Sequence, residues 1–215
     1  MNKNEFLDKI VFGYIKKDFE RLLSLKPIPY GDGNINFFLA LCVLVTIDFL
    51  GGFLLGGNRR FKENTKGYMN RCFNNPSEYP IGILKDIYRN GLAHDFFPRG
   101  AVTRDNRHPA VYLDKNRGMP VLDSETLARD FLVSLNEFKN KLEEAKFEKR
   151  WLKVEESISL EQKRKELEIN NLPKEKGVSI TDSCSSSSVA NTNDNLIVYR
   201  TDPPQTFKNK FDETS

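Results

Sequence analysis

Hydrophobic and polar positions recur with helical periods along most of the first part of the chain. Over residues 5 to 25 the apolar side chains repeat every three or four positions, which predicts an amphipathic helix. Residues 26 to 33 contain two prolines and two glycines and are expected to form a loop. A shorter helix is predicted over residues 60 to 74. Ser77 is then expected to cap a further helix that runs to Asp95.

Residues 37 to 57, with the sequence FFLALCVLVTIDFLGGFLLGG, are the most apolar segment of the chain. The segment is long enough to cross a bilayer. Asp48 lies near its middle, however, where a carboxylate costs about 2.5–3.5 kcal/mol on membrane-insertion scales. We therefore favour a buried core helix and keep a membrane span as the alternative. In a core helix Asp48 needs a backbone donor or a basic side chain as its partner.

After residue 100 the pattern predicts a small β-hairpin followed by a strong helix. Apolar residues at 111 to 113 and 120 to 122 flank a polar turn that ends in Gly118. Asp123 or Ser124 is expected to cap the helix. Its apolar side chains step by three or four positions, at Leu127, Phe131, Leu135, Phe138 and Leu142.

The periodicity continues weakly beyond Leu142, and we expect the same helix to leave the folded body near Trp151. Charges of both signs alternate there, which is typical of a solvated face. We predict a helical bundle over residues 1–150, a charged helix extension over 151–171 and a disordered Ser/Asn-rich tail over 172–215. The fold class is thus an all-α bundle of about five helices with a small β-hairpin excursion.

Composition limits the chemistry that the protein can perform. Among 215 residues, 16 phenylalanines and 7 tyrosines supply a core, and the net charge of +3 neither requires nor excludes a nucleic-acid partner. Cys42, Cys72 and Cys184 are far apart and there are two histidines, so a structural zinc site and a disulfide scaffold are not expected. We expect no cofactor and a cytoplasmic location.

The segment IYRNGLAHDFFP, residues 87 to 98, carries the candidate chemistry. At about 100° per residue, its apolar side chains face the core, and Arg89, Asn90 and His94 lie on the opposite side around the small Ala93. A guanidinium can hold a phosphate through two hydrogen bonds, and an imidazole can take or give a proton near neutral pH. These groups suit cleavage of RNA without a metal ion.

A structural interpretation of the same residues stands beside the catalytic one. A histidine in the last turn of a helix is favoured by the helix dipole, and Arg89 could simply pair with Asp48 or Asp86.

The catalytic interpretation also needs two proton-transfer groups, because one imidazole cannot easily serve as both base and acid. Two copies could supply both groups if their polar faces meet across a two-fold axis.

The sequence RNGLAH resembles the arginine–polar–histidine signature of HEPN domains through Arg89, Asn90 and His94, and the resemblance covers roughly residues 5 to 145. It implies an all-α bundle that forms a homodimer with a composite cleft. Many members of this family are metal-independent ribonucleases of toxin–antitoxin, phage-defence or CRISPR systems, often paired with a nucleotidyltransferase antitoxin. Other members do not catalyse a reaction and bind protein, RNA or nucleotide.

The resemblance implies a role for each residue of the motif. Arg89 would bind the scissile phosphate, His94 would act as acid or base, and Asn90 would orient the reacting groups. Further contacts to the phosphates of RNA are expected from basic residues after the motif, namely Arg99, Arg104, Arg107 and Arg117. The predicted function is an endoribonuclease, and a non-catalytic HEPN-like binding module is the alternative.

Overall fold

Most of the residues that the structure describes are helical, as the periodicity predicts. The computed structural model describes residues 1–25, 35–57, 60–95, 97–166 and 168, all within one unit that spans Met1–Leu172. These residues form six helices and a small three-stranded sheet. The prediction of a mainly α fold is confirmed. The predicted loop at 26–33 and the predicted tail at 172–215 lie outside the described residues.

Helix α1 comprises three consecutive pieces, Lys3–Glu5, the π-helical Phe6–Ile15 and Lys16–Ser24. Its start is capped by Asn2, whose side-chain oxygen accepts a hydrogen bond from the Glu5 amide at 2.8 Å. The helix matches the one predicted over residues 5 to 25. The sequence pattern did not reveal its wide π-helical turns, in which each amide bonds to the carbonyl five residues earlier.

Helix α2, Asn36–Leu55, is the core element and ends at Gly56 in the left-handed conformation (φ 64°). It packs against the four helices α3, α4, α5 and α6, which are defined below. It is the one helix in the described ranges that is long and apolar enough to cross a membrane, and 56% of its most apolar window is buried inside the protein. That burial agrees with the core-helix interpretation.

Asp48 pairs with an amide side chain and not with the backbone donor or basic side chain that was expected. Its carboxylate accepts a hydrogen bond from the side-chain amide of Asn64 at 2.8 Å. Asn64 belongs to helix α3, Phe61–Cys72. The two helices touch closely there, because a Cβ added to Gly51 would lie 2.3 Å from the Asn64 carbonyl oxygen. The guanidinium of Arg150 adds a favourable charge near Asp48.

Helix α4 comprises Ile81–Ile83, the π-helical Leu84–Arg89, Asn90 and the π-helical Gly91–Asp95. Its predicted cap at Ser77 is wrong. A short 3₁₀ turn, Pro76–Glu78, occupies that position, and the residue before the helix is Pro80, which makes no side-chain cap. The Pro80 carbonyl accepts the first hydrogen bond of the helix, from the Leu84 amide at 3.0 Å, so the helix starts without a side-chain cap.

The sheet has the strand order β1–β3–β2, with β1 at Ala101–Thr103, β2 at Val111–Asp114 and β3 at Met119–Asp123. Strands β2 and β3 pair antiparallel, which confirms the predicted hairpin. Strand β1 pairs parallel with β3 and was not predicted. Three residues are too few to show the alternation of a strand, and their pairing is set by contacts distant in sequence.

Asp123 organises the junction between the sheet and helix α5, Ser124–Lys141. Its side chain caps the helix by accepting from the Thr126 amide at 2.9 Å, as predicted. The second carboxylate oxygen accepts from the backbone amides of Asp105 and Arg107 at 2.9 and 3.2 Å. Asp123 is fully buried, so one carboxylate fixes both the helix start and the preceding loop.

The expected continuation of α5 beyond Leu142 is wrong, because the chain bends there and starts a separate helix, α6, at Glu144–Arg164. The bend buries both Leu142 and Phe147. Side chains of α6 join an aromatic cluster with α1 and α2, made of Phe6, Phe53, Phe147 and Trp151, with Phe6 and Phe53 stacked at 4.6 Å. Beyond Val154 the described residues of α6 are exposed, so the helix does leave the body near Trp151.

Replacing Asp123 with alanine should destabilise the protein by about 3 kcal/mol. The change removes the helix cap and leaves the amides of Asp105 and Arg107 without their acceptor. Urea unfolding followed by circular dichroism measures this loss of unfolding free energy.

Asp114→Ala is the matched control. That carboxylate also accepts from two backbone amides, but in an exposed turn, and its removal should cost about 1 kcal/mol or less. Equal losses would contradict this account of Asp123.

Candidate functional site

The candidate motif lies on the π-helical part of α4. The Asn90 amide donates to the Lys85 carbonyl, five residues earlier, as a π-helix requires. In a regular α-helix, residues five apart would be rotated by about 140° from each other. The wider turn instead stacks residues at spacings of four and five along one face. Asp86, Asn90, Gly91, His94 and Asp95 have these spacings.

Gly91 allows the chain to fold back against the motif helix. A Cβ at this position would lie 2.8 Å from the Phe97 carbonyl oxygen and 2.9 Å from Pro98 Cα. The returning segment is held by a hydrogen bond from the Arg99 amide to the Ile87 carbonyl at 3.3 Å. The glycine of RNGLAH is therefore required by the close approach of two backbones, and the fold-back carries Arg99 to the face that holds His94.

The fold-back creates a cleft of about 420 Å³. Its lining residues are Asp86, Asn90, Gly91, His94, Asp95 and Arg99. His94, Asp95 and Arg99 are exposed and Asn90 is half-buried, so these polar groups can be reached from solvent. Asp86 is paired with its neighbour Lys85 at 3.3 Å. The cleft thus presents a guanidinium, an imidazole and an amide to a ligand, together with two carboxylates.

Arg89 is not among the residues that line the cleft. Its Nη1 donates to the side-chain oxygen of Asn90 at 3.2 Å, and its guanidinium carbon lies 5.6 Å from the centre of the Phe61 ring. Its Nε is buried and has no hydrogen-bond partner in the described part of the chain. Neither Asp48 nor Asp86 pairs with Arg89 within the described ranges. Arg89 therefore lies behind Asn90 and orients its amide.

Of the four arginines predicted to contact phosphates, the structure brings Arg99 to the motif and buries Arg104. The Arg104 side chain is 3% exposed and forms an ion pair with Glu125 at 3.3 Å. Its Nη2 also donates to the carbonyls of Leu22 and Leu23 at the end of α1. This placement corrects the expectation for Arg104, because its guanidinium is buried and joins α1 to α5.

Arg107 and Arg117 remain on the surface, with side chains that are each 66% exposed. Each lies 3.7 Å from a carboxylate of its own loop, Asp105 and Asp114 respectively. Neither residue lines the cleft. His108, expected at the surface, is exposed there too.

The sequence pattern did not indicate the two carboxylates of the cleft or the aromatic ring that supports Arg89. Asp86 lies four residues before Asn90, so its position on the same face could have been found from helical spacing. The position of Asp95 on this face could not be found from α-helical spacing, because it depends on the π-helical register. Phe61 comes from a different helix, and no sequence signal places its ring beside Arg89.

Other reactive groups in the described ranges do not suit nucleophilic catalysis or metal binding. Burial raises the pKa of the Cys72 thiol to about 12, and burial also raises the pKa of Cys42, so both stay protonated at neutral pH. The described residues contain no group of three or more His, Cys, Asp or Glu side chains that could hold a metal ion.

Replacing Gly91 with alanine should destabilise the protein by about 2–3 kcal/mol, because the new methyl group would meet backbone atoms that cannot move aside. Gly82→Ala is the control. It lies in the same helix with nothing within 4 Å of its Cβ position, and alanine there should stabilise the helix by about 0.5–1 kcal/mol. Thermal unfolding measures both variants, and a Gly91→Ala protein as stable as the parent would rule out the fold-back.

Comparisons with protein-family models, with curated proteins and with solved structures found no match to this chain.

Proposed function

We propose that this protein is a metal-independent endoribonuclease of the HEPN type that acts as a homodimer. The observation that supports it most is the cleft in which Asn90, His94 and Arg99 come together. Two of these residues belong to the RNGLAH motif, and the third is delivered by the fold-back over Gly91. A proton-transfer group beside a phosphate-binding group is the minimum that RNA cleavage needs.

In the proposed reaction an imidazole takes the proton of the 2′-hydroxyl, and the 2′-oxygen attacks the adjacent phosphorus. The bond from phosphorus to the 5′-oxygen breaks, and an acid gives that leaving oxygen a proton. The products are a 2′,3′-cyclic phosphate and a 5′-hydroxyl. Arg99 stabilises the negative charge that develops on the phosphate, and the amide of Asn90 donates to one of its oxygens.

The homodimer is proposed because each cleft contains a single imidazole, that of His94. A second copy would add a second His94, so that one imidazole could serve as base and the other as acid. Asp86 and Asp95 would orient these groups or the bases of the substrate.

Arg89 acts in this proposal as a positioning residue, because its guanidinium bonds to Asn90 and stacks on Phe61. Because it positions the phosphate-binding amide and does not touch the phosphate itself, replacing Arg89 with alanine should raise KM more than it lowers kcat. In this proposal Arg99 binds the phosphate and Arg89 positions Asn90, whereas the resemblance implies that Arg89 itself binds the phosphate.

The biological setting is proposed from the resemblance. A cytoplasmic ribonuclease of this type would act as a toxin or a phage-defence component and would be controlled by an antitoxin such as a nucleotidyltransferase. The burial of 56% of the most apolar window of α2 supports a soluble location.

Purified wild-type protein should cleave a fluorescent single-stranded RNA in the presence of EDTA, and His94→Ala should lower the rate by about 100-fold or more. Arg99→Ala should lower it by roughly 10- to 100-fold. An RNA with a 2′-deoxy sugar at the cleavage site should remain intact, because the attacking hydroxyl is missing.

His108→Ala serves as the matched control. It removes the other histidine of the chain from an exposed loop and should leave both the rate and the unfolding temperature unchanged. Cleavage that survives in His94→Ala, or that occurs at 2′-deoxy sugars, would contradict the proposed mechanism.

A non-catalytic binding module is the second candidate, and the carboxylates of the cleft favour it. Asp86 and Asp95 would repel a second phosphate and suit a ligand that carries both an anion and hydrogen-bond donors, such as a nucleotide. In that case His94→Ala would weaken binding of a nucleotide, and the wild-type protein would leave RNA intact.

A further inference from the structure

Helices α1 and α2 border an apolar groove that shares no lining residue with the cleft. Phe6, at the start of α1, packs against Phe49 and Phe53 in the second half of α2, with ring centres 6.3 and 4.6 Å apart. Farther along α1, from Ile15 onward, the chain instead faces the first half of α2 across a groove of about 670 Å³. The two helices therefore run in opposite directions and leave a gap between them beyond the aromatic contact.

The groove has the volume and the lining of a small-molecule site. Ligand pockets typically measure about 300–1,000 Å³ and combine an apolar lining with a few polar groups. The polar residues among those that line this groove are Asp18, Arg21 and Thr46. Phe38 and Val45 also line it and are 51% and 48% exposed. A ligand with an apolar part would be stabilised by covering these two side chains.

The dimensions of the groove favour a flexible chain over a helix of another protein. The groove follows α2 from Phe38 to Thr46, which is about 12 Å at 1.5 Å per residue. Its volume over that length gives a mean width of about 7–8 Å, whereas a helix with its side chains is about 10–12 Å in diameter. A single hydrocarbon chain can therefore enter the groove, and a whole helix cannot.

Two charges of opposite sign on α1 border the groove without a partner in the described part of the protein. The side chains of Asp18 and Arg21 form no ion pair there, whereas Lys16 and Glu20 of the same helix pair at 3.6 Å. Asp18 and Arg21 are both exposed and three residues apart, which places their Cβ atoms about 5–6 Å from each other. Tyr14 is 58% exposed and precedes Asp18 by one turn. An aromatic ring, a carboxylate and a guanidinium therefore follow one another along one helix face.

We propose that the groove binds a single-chain zwitterionic amphiphile whose head group carries a phosphate diester and an ammonium group, as in a lysophospholipid. The guanidinium of Arg21 binds the phosphate through two hydrogen bonds. The carboxylate of Asp18 pairs with the ammonium group, and the ring of Tyr14 adds a cation–π contact to it. The alkyl chain lies along the groove against Phe38 and Val45.

The charge pattern favours this head group over one that carries a single charge. A fatty-acid carboxylate would be attracted by Arg21 and repelled by Asp18, and an alkylammonium ion would be repelled by Arg21 and attracted by Asp18. A head group with both charges satisfies both side chains at once. The inference does not depend on the proposed nuclease activity, because none of the residues that line the cleft also lines this groove.

Isothermal titration calorimetry of the full chain with dodecylphosphocholine tests the site, at concentrations below those at which this probe forms micelles. The wild type should bind one molecule per chain. Dodecanoate and dodecyltrimethylammonium have chains of similar length and a single charge each, and they should bind roughly tenfold more weakly.

Substitutions of the two charged side chains separate their roles. Arg21→Gln should weaken the binding of dodecylphosphocholine roughly tenfold, because the phosphate loses its donor. Asp18→Asn should weaken it as well, but should strengthen the binding of dodecanoate, because the repulsion is removed. Val45→Glu places a carboxylate in the apolar wall and should abolish the binding of dodecylphosphocholine.

Glu20→Gln is the matched control for the loss of a charge from the same helix. Glu20 lies about 200° around the helix from Asp18 and does not line the groove, so this variant should bind dodecylphosphocholine as the wild type does. Circular dichroism verifies that every variant is folded. A folded wild type that does not bind dodecylphosphocholine, equal affinities for the three probes, or unchanged binding in Val45→Glu would each overturn the proposal.

Discussion

The burial of α2 is the constraint on which the rest of the structure depends. Almost every side chain of this helix is apolar, so packing other helices against it is strongly favourable. Helices α3, α4, α5 and α6 bury ten of its twenty residues, and Gly51 lets α3 approach to backbone contact. The single carboxylate of the helix, Asp48, is tolerated because Asn64 donates to it at the same point.

The candidate site depends on this packing, since α4 lies against α2 and the segment after it returns to the start of α2. Phe97 packs edge-on against Phe37, with the ring centres 6.3 Å apart. This contact holds the returning chain in place, and Gly91 gives it room to pass. Arg99 therefore reaches the cleft through the backbone, while Arg89 supports Asn90 from behind. The site thus depends on a π-helical turn and on a chain fold-back, and the six residues RNGLAH alone indicate neither.

Local sequence patterns predicted the elements well and their contacts less well. The period of apolar residues locates α1, α2, α3 and α5, and the turn chemistry locates the hairpin, because these signals are contained in a few neighbouring residues.

The bend at Leu142 was missed because no glycine or proline marks it, and burial of Leu142 and Phe147 produces it. Arg104 looked like a surface cation, because its partners Glu125 and Leu23 are distant in sequence. Arg99 was predicted as a phosphate contact from its basic character alone, and its approach to the cleft depends on the fold-back over Gly91, which only the structure shows.

The central claim, that the cleft of Asn90, His94 and Arg99 binds a phosphodiester, can be tested by nuclear magnetic resonance of the two histidine side chains. The chain contains only His94 and His108, so the imidazole carbons give two signals, which the His108→Ala variant assigns. The probe is a dinucleoside monophosphate without the attacking 2′-hydroxyl. The account predicts that the His94 signal shifts as the probe is added, until the cleft is saturated, while the His108 signal does not move. In Arg99→Ala the same additions should shift the His94 signal much less. A His94 signal that does not move, or one that shifts equally in Arg99→Ala, would contradict the account.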